Sequence, residues 1–205
     1  MGHAERAGRA GCTEPTGRLR IVTMAEPEIP PELRAQVEAL QEQAWPGGGP
    51  HDPALLPVAV ILVAPDGGVR AALDILSKEI THGGRSYRAS GLSAVVTDTA
   101  HRGKGYGRQL VAAARELIAA SGADVGLFTC DRPLQGFYES AGWAALPGTV
   151  LIGGTPQDPF PSDSPGFDKV TMAAFFTARA RAGAGAGAFE ESRIGLYPGE
   201  IDRLW

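Results

Sequence analysis

A strand, a glycine-rich turn and a helix follow one another without interruption in residues 91–120, and this succession restricts the fold more than any other feature. The apolar run 91–97 predicts the strand, HRGKGYG at 101–107 predicts the turn, and residues 106–120 repeat apolar side chains at helical spacing. The unsatisfied N–H groups at a helix start lie at the positive end of the helix dipole, so such a turn can bind phosphate. An ordinary turn whose glycines only satisfy left-handed backbone angles is the alternative.

Two nucleotide-binding motifs do not fit this turn. A P-loop requires a glycine, four residues and then Gly-Lys-Ser/Thr, and the stretch before Gly103 has no such glycine. The dinucleotide motif Gly-x-Gly-x-x-Gly is also excluded, because Gly103, Gly105 and Gly107 are each two residues apart. A phosphate ligand of another kind is therefore the prediction that remains.

The rest of the chain predicts a mixed α/β domain. Strands are expected near residues 18–24, 56–64 and 125–130, with two edge strands at 148–152 and 168–176. One helix should bury Leu33, Val37, Leu40 and Ala44, the helix at 106–120 should bury Leu110, Ala113, Ala114, Leu117 and Ile118, and a short helix should carry Phe137 and Tyr138. Residues 1–17 are expected to be a disordered tail, and residues 18–205 a single domain with a Pro-rich loop at 155–167 and a Gly/Ala-rich loop at 181–192.

Composition excludes several classes of protein. The 19 Lys and Arg residues against 23 Asp and Glu residues give a formal net charge of −4, which argues against a general nucleic-acid binder. No apolar run is long enough to span a membrane, and the first residues do not resemble a secretory signal, so a cytoplasmic location is expected. Two cysteines and four histidines without ligand spacing predict neither a disulfide framework nor a metal site.

Arg102-x-x-Gly105-x-Gly107, followed by a helix, a strand and FYESAGW at 137–143, resembles the signature of the GNAT superfamily of N-acetyltransferases. The resemblance covers about residues 90–145. It implies a six- to seven-stranded, mostly antiparallel sheet flanked by helices, with a splayed central strand pair. It also implies acetyl-CoA as the co-substrate, an amine as the acceptor, no metal, and a homodimer as a family-level expectation.

A narrower resemblance points to the acceptor. The turn His82-Gly83-Gly84-Arg85 and a chain that stops at Trp205 are similar to the aminoglycoside 2'-N-acetyltransferases. That family implies a polycationic amino sugar as substrate and antibiotic resistance as the outcome. Another small amine, or an amine of a protein, is the alternative acceptor, and a non-catalytic acyl-CoA-binding module is the alternative from another functional class.

The GNAT resemblance assigns acetyl-CoA to two neighbouring segments. Backbone groups of Val95, Val96 and Thr97 match the positions that pair with the pantetheine arm, although these side chains also suit an ordinary core strand. The pyrophosphate is assigned to the turn and the helix start, which comprise Arg102, Gly103, Lys104, Gly105, Tyr106, Gly107 and Arg108. Tyr138 is the expected acid that protonates the departing thiolate.

The residue that accepts the proton of the amine stays unassigned. Ser93 stands where the 2'-acetyltransferases have a glutamate, and it is too weak a base, although it could order a water. The other acidic candidates are Glu79, Asp98 and Asp131. For the substrate, Glu200, Asp202 and the Trp205 terminus form one acidic cluster, diluted by Arg203, and His51 with Asp52 is a second candidate.

Overall fold

The computed structural model describes residues 18–197. In chain order its strands are β1 (Arg20–Ala25), β2 (Val58–Val63), β3 (Val69–His82), β4 (Arg85–Thr97), β5 (Val125–Asp131), β6 (Ala144–Ala145), β7 (Val150–Gly154), β8 (Pro159–Pro161), β9 (Lys169–Phe175) and β10 (Arg193–Gly195). Its helices are α1 (Pro31–Ala44), α2 (Tyr106–Ala120), α3 (Gln135–Glu139) and α4 (Ala178–Gly185). No helix within this part of the chain is both long and apolar enough to cross a bilayer.

Seven strands form the main sheet in the order β1-β2-β3-β4-β5-β9-β6. Every neighbouring pair in it is antiparallel except β4 and β5, which run parallel because α2 carries the chain back between them. The mixed, mostly antiparallel seven-stranded sheet with flanking helices confirms the predicted fold class.

Two late strands are placed differently from the prediction. The stretch 148–152 contributes to β7, which belongs to a separate three-stranded sheet of order β10-β7-β8. The stretch 168–176 forms β9, which lies between β5 and β6 and is therefore not an edge strand. Val170, Met172, Ala173 and Ala174 of β9 are all buried, as expected for a strand covered on both faces.

The two faces of the main sheet have separate cores. Helix α2 covers one face, and the residues that it buries fully are Gly107, Leu110, Val111, Ala114 and Ile118. Ala113 and Leu117, predicted to be buried, are only partly so, because the buried stripe is rotated toward Val111. On the other face Val37 of α1 packs into a smaller cluster, while Leu33 and Leu40 are half-buried and Ala44 is exposed.

The two predicted loops contain regular structure. The Gly/Ala-rich segment begins inside α4, whose first turn is capped by the Thr177 hydroxyl, which accepts from the N–H of Ala180. The four alanines and two arginines of α4 favour a helix there, and a Cβ on Gly183 would be in ordinary van der Waals contact with Phe189 at 3.5 Å. The Pro-rich loop contains β8, an edge strand beside β7, which is a position where a sheet tolerates proline. The predicted tail 1–17 lies outside the described residues.

Asp124 holds β4 and β5 together where they meet. Its carboxylate accepts from the Arg88 N–H (3.0 Å), the Thr177 hydroxyl (2.9 Å) and the Arg179 guanidinium (2.8 Å). Its own N–H donates to the Arg88 carbonyl at 2.8 Å. Burial opposes the charge, but the hydrogen bonds outweigh it and hold the pKa of Asp124 below its usual range.

Replacing Asp124 with Asn should lower the free energy of unfolding at neutral pH by about 1–3 kcal/mol, since an amide cannot accept all of these hydrogen bonds. The folded-state pKa of Asp124 is depressed, so its stabilisation exists above the unfolded-state pKa and is lost as the pH falls through the folded-state pKa. The difference in unfolding free energy between the native protein and Asp124→Asn should therefore become smaller at acidic pH. Urea unfolding at several pH values measures this difference. A difference that does not change with pH would contradict a negatively charged Asp124 in the folded protein.

Candidate active site

β4 and β5 separate soon after they begin to pair. Only Ala89 with Val125 and Ser90 with Gly126 form parallel ladder pairs, although both strands continue for several residues. Beyond that point the edge of β4 that faces β5 has no strand partner, while β5 stays paired with β9 along its whole length. The structure thus opens a cleft between two parallel strands and leaves backbone donors and acceptors of β4 for a ligand.

A β-bulge in β4 lies beside this cleft. The ladder with β3 passes from Asp74 opposite Ser93 to Ala72 opposite Val96, so that Ala94 and Val95 together face Leu73. Ala94 adopts φ of 49°, the left-handed region, as the extra residue of a bulge does. The bulge reverses the alternation, since Leu92 lies in the core under α2 and Val96 lies in the core under α1. Backbone groups at the predicted pantetheine positions are therefore turned relative to a regular strand.

The glycine-rich turn connects the open end of β4 to α2. Gly103 and Gly105 have φ of 77° and 78°, and Gly105 is the residue that precedes the first helical turn. A Cβ at either position would meet nothing within 4 Å. Glycine is therefore favoured at both positions by the positive φ and not by tight packing. The first N–H groups of α2 therefore lie at the end of the cleft, as the sequence predicts for a pyrophosphate ligand.

The side chains of this turn divide into a charged set and a packed set. Arg102, Lys104 and Arg108 are exposed, whereas Tyr106 is half-buried. Gly107 is buried so tightly that a Cβ there would come within 2.9 Å of the Thr97 hydroxyl and 3.3 Å of the Phe137 ring. Positive charge and free N–H groups thus face outward, while the turn is packed firmly on its inner side.

Tyr138 lies on α3 and packs against β5, the strand on one side of the cleft. Its ring packs edge-on against Phe128 of β5 with centroids 4.8 Å apart, and the residue is 6% exposed. Burial, reinforced by the neighbouring Cys130 and Asp131, raises the pKa of Tyr138 well above its usual value. The phenol is therefore protonated at neutral pH, which is the state that a proton donor needs.

The acidic residues suggested by the sequence do not meet at one place. Glu79 is exposed and lies opposite Arg88 in the ladder. Asp98 caps a short turn through the Ala100 N–H and contacts the His101 ring at 2.5 Å. Asp131 ends β5 and pairs with Lys169 at 2.7 Å, largely exposed to solvent. Asp98 and Asp131 are thus each accounted for by a local contact, and Glu79 is exposed at the surface of the sheet.

A different carboxylate, which the sequence analysis missed, lies next to Ser93. Asp74 of β3 is directly opposite Ser93 in the ladder, and both residues are buried. Its Oδ2 accepts from the side chain of Gln41 in α1 at 2.9 Å and lies 3.2 Å from Nε2 of His51. One signal could have revealed it: Asp74 interrupts the apolar strand AALDIL, where a carboxylate is costly without a partner.

Glu26 adds a second carboxylate to this group. It lies after β1, close enough to His51 and Asp74 for their charges to act on it. Burial is the largest effect and, despite the opposing influence of His51, raises the pKa of Glu26 above its usual value. Of the predicted pair His51 and Asp52, the histidine joins this cluster, while Asp52 caps the next short turn through the Ala54 N–H at 2.9 Å.

The predicted substrate residues Asp202 and Trp205, with Glu200 and Arg203, lie outside the described residues. The chain that leads to them is held at β3, where the Lys78 ammonium donates to the Leu196 carbonyl and, at 2.6 Å, to the Tyr197 carbonyl. Burial lowers the pKa of Lys78. The described chain therefore ends on the same strand that carries Asp74.

Neither cysteine nor metal chemistry is indicated at the cleft. Burial raises the pKa of the Cys130 thiol to about 11, so it is a neutral, buried side chain rather than a nucleophile. Within residues 18–197 no three His, Cys, Asp or Glu side chains are grouped to hold a metal ion.

Comparison with known proteins agrees with this geometry. Residues 59–145 match the family model described as the acetyltransferase (GNAT) domain. Among solved structures, an acyl-CoA N-acyltransferase from Pseudomonas aeruginosa is 17% identical with a TM-score of 0.52, covering 76% of this chain and 99% of its own. An acetyltransferase from Bacillus subtilis in complex with CoA is 18% identical with a TM-score of 0.55, covering 78% and 100%. Escherichia coli ElaA is 17% identical with a TM-score of 0.56, covering 76% and 99%. No curated protein matches the sequence.

The opened strand pair and the glycine turn occur in a fold that is shared with acyl-CoA N-acyltransferases. The family match over residues 59–145 and the shared fold support an N-acetyltransferase with acetyl-CoA as its co-substrate. The structural neighbours share this fold at low identity.

Proposed function

We propose that this enzyme acetylates an amine of a cationic amino sugar of the aminoglycoside type, at the 2' position, and thereby confers resistance to such an antibiotic. The observation that carries this proposal is the acidic group beside the open strand. Asp74 is buried there opposite Ser93, and the carboxylate of Glu26 lies close enough to act on the same histidine.

A polyamino sugar is a polycation, so its binding site should be rich in carboxylates. Asp74 lies in the face of the sheet that α1 covers, and Asp52 adds a further carboxylate in the loop between α1 and β2. The glycine turn and its cations lie at the end of β4, at the end of the cleft. The acidic group thus lies beside Ser93 of β4 and the cations follow the end of the same strand, so that one region suits a cation and the other an anion.

The residues of the chain then have separate tasks in the transfer. Acetyl-CoA supplies the acetyl group as an activated thioester. The N–H groups of the turn bind the pyrophosphate, and the edge of β4 that faces β5, at Val95, Val96 and Thr97, orients the pantetheine arm and polarises the carbonyl. Tyr138 gives its proton to the sulfur when the C–S bond breaks.

The test is thiol release from acetyl-CoA across a panel of amines. The panel contains aminoglycosides with a 2'-amino group, aminoglycosides with a 2'-hydroxyl group, simple monoamines and lysine-containing peptides. We expect efficient turnover only with the 2'-amino compounds, because they combine the reacting amine with a high positive charge. Preference for a monoamine or a peptide would replace the proposed acceptor, and acetyl-CoA binding without turnover on any amine would indicate a non-catalytic module.

Two further expectations come from the sequence, a cytoplasmic location from its composition and a homodimer from the family resemblance. We infer that the enzyme acts in the cytoplasm and as a homodimer, and both stay predictions.

A further inference from the structure

His51 and Asp74 form a pair that can act as a general base. The pair lies beside Ser93, whose hydroxyl is too weak a base for this role. Nε2 of His51 lies 3.2 Å from Oδ2 of Asp74. The side chains of the two residues are only 12% and 9% exposed. A carboxylate that accepts from one imidazole nitrogen fixes the proton there and leaves the lone pair on the other nitrogen.

The other ring nitrogen of His51 is Nδ1. This atom is buried and has no hydrogen-bond partner within residues 18–197. A buried, unsatisfied polar atom costs free energy, so it indicates a partner that arrives with a ligand. Gln41 donates to the same Asp74 oxygen at 2.9 Å, which fixes the carboxylate between α1 and the loop that carries His51.

The position of the pair suits the acceptor side of the reaction. Directly opposed residues of an antiparallel ladder have Cβ atoms about 4.5–5.5 Å apart, so Asp74 is an immediate neighbour of Ser93. Ser93 in turn directly precedes the bulged residue Ala94, at the part of β4 that has separated from β5. The carboxylate missing from β4 is thus supplied from the adjacent strand.

We propose that His51, oriented by Asp74, is the general base that takes the proton from the acceptor amine. As the amine nitrogen bonds to the carbonyl carbon, its proton moves to Nδ1 of His51, the C–S bond breaks, and the sulfur takes the proton of Tyr138. The imidazolium then returns its proton to solvent, and the phenol is reprotonated. Asp74 is a positioning residue that does not touch the substrate. Because Nδ1 is covered in this structure, binding of the amine must expose it.

Glu26, after β1, is close enough to His51 and Asp74 for the charges of both residues to act on its carboxylate. The identity of the acceptor amine in this inference rests on the proposed function. The first experiment below needs no amine and therefore tests the pair independently of that function.

The first experiment is histidine ¹⁵N NMR on the full chain without any amine. We expect neutral His51 to carry its proton on Nε2, and Asp74→Asn to weaken this preference for the Nε2 tautomer. His82→Gln, which removes the imidazole at the β3–β4 turn, should leave the His51 signals unchanged. A proton on Nδ1 of neutral His51, or a ring that stays doubly protonated wherever the enzyme is active, would overturn the proposal.

The second experiment measures kcat/KM for the best amine of the panel against pH. His51→Gln should lower it by at least about tenfold and abolish the acidic limb that His51 causes, with acetyl-CoA affinity unchanged. Asp74→Asn should lower kcat/KM by a smaller factor than His51→Gln does, and Ser93→Glu added to His51→Gln should restore part of the activity. An unaltered limb in His51→Gln would refute the base. If no aminoglycoside reacts but the NMR result holds, the proposed acceptor fails and the base stands.

Discussion

Tyr138→Phe is expected to lower kcat by about 10²–10³-fold while acetyl-CoA binds nearly as well as to the native enzyme. The hydroxyl is the group that protonates the departing sulfur, and loss of a positioned acid costs a factor of this size. The ring itself remains, so its edge-on packing against Phe128 and Phe137 should keep α3 in place. Steady-state kinetics together with calorimetric titration of acetyl-CoA separates the two effects.

Tyr87→Phe is the matched control for this substitution. Tyr87 is also buried and aromatic, but it packs against Phe189 at the start of β4, before that strand meets β5. Removing its hydroxyl should leave kcat unchanged. Equal losses of turnover and of acetyl-CoA affinity in Tyr138→Phe would instead show that the tyrosine supports the fold of the cleft.

The second large effect is expected at the glycine turn, where Gly105→Val should raise KM for acetyl-CoA by about tenfold to a hundredfold. A β-branched residue is a steric outlier at φ of 78° and costs about 1–2 kcal/mol there. The turn can relieve this cost only by changing its backbone, which misaligns the first N–H groups of α2. Each tenfold loss of affinity corresponds to about 1.4 kcal/mol.

Gly67→Val separates strain from loss of the ligand site. Gly67 has φ of 82° and open space around its Cβ position, but it lies in the hairpin between β2 and β3. Both variants should lose a similar free energy of unfolding in urea, and only Gly105→Val should bind acetyl-CoA less tightly. If both bind it equally well, the phosphate site is not at the turn.

Local signals explain why α2 and its surroundings could be predicted. The helix runs over residues 106–120, as predicted, because glycines with positive φ stand at Gly105 before it and Gly122 after it. The strands β2 and β5 are apolar runs bounded by turn residues, and they lie within one or two residues of their predicted limits. Such elements are determined by neighbours in the chain, so the sequence alone suffices.

The features that could not be predicted depend on distant partners. His51 and Asp74 are 23 positions apart and meet only because α1 and the following loop fold over β3. Helix α4 contains four alanines and two arginines, which favour a helix, but also two glycines, which weaken it, so the segment alone does not decide its conformation. The central position of β9 likewise depends on which strands flank it. Tertiary packing decides these cases, and it overrides local propensity.

The extra residue at Ala94 determines which layer the side chains of β4 face before and after it. If the strand had a regular pleat, Leu92 and Val96 would face the same layer, and Ser93 would point away from the layer that holds Val96. A one-residue deletion at this point would therefore rotate everything on one side of it by half a turn. Either the residues of β4 beside Asp74 or the residues of β4 that lead to the glycine turn would then face the wrong side of the sheet. Insertions and deletions in this strand should consequently be far more damaging than most single replacements within it.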